Sequence, residues 1–151
     1  MAPSPLLLLF FLVVPAFSAT LFVISGIITC NASPFMYQMR VIEDDQPAPK
    51  NDILFTDAIR SSKTSPVFYN ITTSETTDHV TNYYELAFEI VHNCHANALT
   101  YNFRSRFEIG DYPITHGTHV ISLNMDLTNH GKAYQHKIGE WVDEDLKVNT
   151  F

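Results

Sequence analysis

The side chains with chemistry to offer are seven histidines, two cysteines and a few arginines. His92 and His95 stand three apart, as do His116 and His119. On a strand, an odd separation sends two side chains to opposite faces. Both pairs straddle turn-like sequence, which relaxes that objection. No carboxylate cluster joins them at a ligand spacing, so neither a metal nor a cofactor is expected. Hydrolysis would need an activated nucleophile. The sequence has no G-x-S-x-G elbow and no H-E-x-x-H motif. A Ser–His–Asp set assembled from distant positions leaves no signature of its own. Arg104 and Arg106 share one strand face near Glu108 and form a candidate anion patch. The plainer expectation for them is a solvated face with ion pairs worth at most about 1 kcal/mol each. Tyr83 falls on a polar face and is a candidate recognition residue. Trp141, the one tryptophan, is expected to anchor the acidic tail or meet a partner.

Strands must hold these residues, because the apolar period is two rather than 3.6. Tyr101, Phe103, Phe107 and Ile109 share one face, and Asn102, Arg104, Arg106 and Glu108 the other. Tyr84, Leu86, Phe88 and Ile90 alternate with Glu85, Ala87 and Glu89. Ile121, Leu123, Met125 and Leu127 alternate with Ser122, Asn124 and Asp126, with Val120 out of pattern. Tyr37, Met39 and Val41 alternate with Gln38 and Arg40. Weaker strands are read at 21–29, 53–59 and 66–72. One dry and one wet face is the pattern of antiparallel sheet. About seven strands, separated by turn-rich segments, predict an all-β antiparallel sandwich or small barrel. A short helical turn is expected near His95–Leu99, and another helix through Glu140–Lys147 is an alternative to a loose tail.

Leu6 to Val14 is an unbroken apolar run followed by Ala16-Phe17-Ser18. It is too short to span a bilayer and suits a secretory signal, with cleavage expected after Ser18. Residues 19–138 are then the sandwich domain and 139–151 an acidic tail. Asn70-Ile71-Thr72 is a glycosylation acceptor, and Asn31-Ala32-Ser33 a weaker one because Pro34 follows. The formal net charge of −7 argues against nucleic acid as a partner. Hydrophobic residues at 46% and charged residues at 17% are incompatible with a disordered chain. Cys30 continues the parity of Ile28, and Cys94 that of Phe88 and Ile90. Two inward cysteines at strand ends of an exported chain are good disulfide partners.

Several of these segments resemble the nematode transthyretin-like family. SGIITC at Ser25 to Cys30 is similar to its G-x-x-x-C opening strand. EIVHNC at Glu89 to Cys94 is similar to its later strand ending in His-x-Cys. EIGDYPITHG at Glu108 to Gly117 resembles its turn, and ISLNMDL at Ile121 to Leu127 falls where its last strand falls. The resemblance implies a seven-stranded transthyretin-like sandwich, secretion and a Cys30–Cys94 bond. The chain departs from the pattern after Thr56-Asp57, where the family's Gly is missing, and at Gly110, where Pro is usual. It resembles a divergent member.

The leading functional expectation is a secreted, non-enzymatic binding protein for an extracellular protein, a lipid or a small apolar ligand. The alternative is a secreted hydrolase of ureide type on the same fold, which would bring two histidines together with Arg104 or Arg106. The Tyr-Arg-Gly-Ser ending of those hydrolases is absent. A lipocalin-like carrier ranks last, since no Gly-x-Trp accompanies the first strand.

Overall fold

A computed structural model describes residues 19–44, 51–76, 82–95, 101–115 and 117–142. The expected signal segment, the helical turn after His95, His116 and the tail beyond Val142 lie outside the described residues. The chain forms strands β1 (Thr20–Thr29), β2 (Phe35–Glu43), β3 (Asp52–Thr56), β4 (Arg60–Ser62) and β5 (Val67–Glu75). These are followed by β6 (Tyr83–His92), β7 (Asn102–Pro113), β8 (Gly117–Ser122), β9 (Met125–Asp126) and β10 (Lys132–Tyr134). Among the described residues there is no helix.

The strands form two sheets. The smaller runs β5-β1-β8, with β9 also on β1; the larger runs β10-β7-β6-β2-β3, with β4 also on β2. The all-β expectation therefore holds, while the count of seven does not. The strand expected at 53–59 ends at Thr56 because Asp57 turns the chain, and β4 starts beyond it at Arg60. The Asp57 carboxylate accepts the Ala58 N–H at 2.8 Å and binds the Arg60 guanidinium. The strand expected through 118–127 breaks at Leu123–Asn124, where the Asn124 side chain accepts the Ile27 N–H. β10 is three residues long and carries too little alternation to be seen. Strictly antiparallel pairing also fails. The chain crosses from β7 in the larger sheet to β8, which enters the smaller sheet parallel to β1.

The inner faces meet in one core. β1 contributes Phe22, Ile24 and Ile28, facing Tyr37, Met39, Val41, Tyr84, Leu86, Phe88 and Ile90 of the larger sheet. Phe22 meets Tyr84 edge-on at 5.5 Å, and Tyr69 meets Phe88 likewise. Each such side chain stabilises the fold by about 1.5–3 kcal/mol through burial. Gly26 interrupts the apolar run of β1 for a steric reason: a Cβ there would collide with the Leu123 carbonyl. Cys30 follows β1 and Cys94 follows β6, so their disulfide staples the two sheets together. The bond closes a separation of 64 residues, worth about 4 kcal/mol on the chain-entropy model.

Candidate functional site

The polar face of the larger sheet was expected to be wet, and its centre is not. Register pairs Gln38 with Val91, Arg40 with Glu89 and Ile42 with Ala87, all pointing away from the main core. Each is nevertheless buried. Arg40 donates from Nε to Glu89 at 2.6 Å, and Arg104 donates to the other Glu89 oxygen at 2.7 Å. The side chains of Arg40 and Glu89 are each 6% exposed, and that of Arg104 16%. The segment after β10 lies on this face. Trp141 donates its indole N–H to Gln38 Oε1 at 2.7 Å, and its ring lies 4.4 Å from Arg40 Cζ. Arg104 also donates to the Val142 carbonyl. Trp141 thus anchors the start of the acidic tail, and Arg104 belongs to a covered structural network.

Arg106 sits apart from it. Its guanidinium pairs with Asp44 and with Glu108, the latter at 2.7 Å. Burial works against its charge, but its hydrogen bonds to the Glu108 and Asp44 carboxylates outweigh that and hold its pKa above the ordinary value. Arg104 and Arg106 therefore do not form an anion patch, because carboxylates neutralise both. Around Arg106 the sign is reversed. Asp44, Glu85, Glu108 and Asp111 line an open cleft of about 410 Å³ with the single guanidinium among them. One Asp44 oxygen, Oδ1, is buried there without a hydrogen-bond partner among the described residues.

A bulge assembles this cleft. Glu108 and Asp111 are three apart and on a regular strand would face opposite ways. The β6–β7 register shifts between Leu86 and Ala87, so that Ala87 faces Glu108 while Glu85 faces Asp111. Gly110 carries the distortion at φ 129, a conformation available to glycine and poor for other residues. Past the bulge Asp111 returns to the face of Glu108 and Glu85. The Asp44 N–H bonds to the Glu85 carbonyl at 2.8 Å and brings the end of β2 alongside. Sequence reasoning placed Arg106 and Glu108 together but missed Asp44, Glu85 and Asp111. The signal available was the run Gly110-Asp111 inside an otherwise alternating strand, which marks a bulge.

Tyr83 begins β6 on the same face, one two-residue step from Glu85, and is 51% exposed. Of the three candidate recognition residues, Tyr83 therefore stands nearer the Arg106 cleft than the Arg104 network.

The histidines go elsewhere. His92 is fully buried; its Nδ1 accepts the Cys94 N–H at 3.1 Å, leaving Nε2–H to donate to Ser105 Oγ at 2.8 Å. Burial, reinforced by nearby His130, lowers its pKa to about 4, so the ring is neutral. His95 stacks on Phe103 at 5.0 Å and His130 on Phe107 at 4.5 Å. Phe103, Ser105 and Phe107 alternate with Arg104 and Arg106, so His92 and His130 lie across the sheet from both arginines. Among the described residues no group of three or more His, Cys, Asp or Glu side chains is placed to hold a metal ion. Asn70 and Asn31 are both exposed.

No curated protein and no solved structure matches the chain. A family model described as "Caenorhabditis elegans protein of unknown function (DUF870)" matches residues 25–137. That is a nematode family, as the resemblance implied, but not the transthyretin-like one. The matched span begins within β1 and ends just past β10, so it takes in both sheets, the disulfide and the acidic cleft. The chain belongs to this Caenorhabditis elegans family of unknown function.

Proposed function

We propose that the chain is a secreted, non-enzymatic binding protein, built on a transthyretin-like sandwich, that recognises a cationic segment of an extracellular partner. The observation that carries this reading is the cleft in which Asp44, Glu85, Glu108 and Asp111 surround one guanidinium. Ammonium and guanidinium groups make charge-assisted hydrogen bonds to carboxylates, roughly twice as strong as neutral ones. Tyr83, beside the cleft, adds an aromatic face on which a cation can rest. The net charge of −7 draws cationic partners from a distance. The apolar segment at Leu6 to Val14 and the Cys30–Cys94 bond support export, since disulfides persist in oxidising compartments. The two-sheet architecture with its inter-sheet bond supports the transthyretin-like scaffold.

The test is a fluorescence-anisotropy titration with a labelled Arg- and Lys-rich peptide, a Glu-rich peptide of equal length, and phosphatidylcholine and phosphatidylserine vesicles. Saturable binding of the cationic peptide alone, weakening as salt rises, is the expected result. Equal binding of both peptides, or binding of vesicles only, overturns the reading.

A further inference from the structure

The outer face of the smaller sheet is unusual for a surface. Phe68 is 81% exposed and Val120 79% exposed. Phe68 lies opposite Ile27, while Val120 and Thr72 flank Val23. Leu21, Val23 and Ile27 share this face and are only partly covered. An apolar stripe of this kind on a monomer ordinarily marks a surface that something covers.

Asn70 stands in the middle of the stripe. It pairs with Ser25, between the Phe68–Ile27 and Thr72–Val23 levels. Strand periodicity places Phe68, Asn70 and Thr72 on one exposed face, while Ile71 between them turns into the core at 5% exposure. The acceptor amide and the threonine hydroxyl of the sequon therefore point the same way. Phe68 lies two residues before Asn70, about 7 Å away along the strand. A sugar on Asn70 would start above the Phe68 ring, and the C–H face of a pyranose is apolar enough to rest on it.

We propose that Asn70 carries an N-linked oligosaccharide whose first sugars cover the Phe68–Val120 stripe. The carboxamide nitrogen of Asn70 bonds to C1 of an oligosaccharide carried on a lipid pyrophosphate, supplied by the secretory pathway. The C1–O bond breaks, the lipid pyrophosphate leaves, and the amide loses one proton. The glycan then occupies the face opposite the acidic cleft and leaves that cleft open. β5 is an edge strand of its sheet, so the same sugars hinder strand addition from another chain. The inference rests on the export reading above.

The full chain is expressed in a eukaryotic secretory host, and the medium is analysed by peptide mass mapping. The folded glycoprotein is then treated with an amidase that cleaves the bond between Asn70 and its first sugar, and is examined with an apolar fluorescent dye and by sedimentation. A glycan mass on the Asn70 peptide is expected. Its removal is expected to raise dye fluorescence several-fold and to promote self-association, both reversed in a Phe68→Ser variant. An unmodified Asn70 on chain recovered from the medium overturns the glycan alone. Absence of the chain from the medium overturns export and the glycan together. A glycan whose removal changes neither readout overturns the covering role.

Discussion

The Trp141 ring lies over the Arg40 guanidinium, 4.4 Å from Cζ to the ring centroid. The contact joins the segment after β10 to the centre of the larger sheet, where Arg40 is already held by Glu89. It turns a polar strand face into a buried layer and fixes where the acidic tail departs. Trp141→Ala removes the cation–π contact and the hydrogen bond to Gln38, a loss of about 2 kcal/mol. Urea unfolding checks the size. Limited proteolysis checks the location, with new cleavage expected after Tyr134. Trp141→Phe keeps a ring over Arg40 and should fall between.

Glu89 answers two arginines at once, one from β2 and one from β7. Glu89→Ala leaves both guanidinium groups in a nearly dry site without their carboxylate, and is expected to destabilise by about 3–5 kcal/mol. Arg60→Ala gives the contrast. Its pair with Asp57 is solvent-exposed on the arginine side, at 58%. Its loss should change stability by less than about 1 kcal/mol. Similar unfolding midpoints for the two variants would remove Glu89 from its central place.

His92 gives the fold a pH dependence of defined sign. Its pKa is lowered from 6.5 to about 4 on folding. Above the upper value the ring is neutral in both states and its contribution is complete. As pH falls through that window the unfolded chain takes up a proton that the folded one refuses. Stability is therefore lost on acidification, by about 3 kcal/mol once both values are passed. Protonation at Nδ1 would also break its bond from the Cys94 N–H. Unfolding curves across this range should be steeper in pH for the parent than for His92→Gln. Equal slopes would mean that the ring is not protected.

Sequence periodicity revealed the core strands because a period of two survives wherever one face is buried. Ile121 to Leu127 alternate in burial as they do in the sequence, and Tyr84, Leu86, Phe88 and Ile90 all join the core. The disulfide was legible for the same reason, since both cysteines continue an inward parity. The parallel entry of β8 beside β1 was not, because strand direction leaves no mark on alternation. The covering of Arg40, Glu89 and Arg104 was hidden too, as it depends on Trp141, 101 positions beyond Arg40 in the chain. The acidic cleft escaped because the bulge at Gly110 breaks the rule by which faces are assigned.

The most direct test reverses charge in the cleft. Glu108→Lys and Asp111→Lys, combined, replace two of its four carboxylates with cations. The variant must keep the parental circular dichroism and unfolding midpoint. Titrated with the labelled Arg- and Lys-rich peptide, the parent is expected to bind saturably, and the variant at least about 10-fold more weakly, a difference of about 1.4 kcal/mol. A variant that binds the peptide as tightly as the parent would contradict the assignment of this cleft as the recognition site.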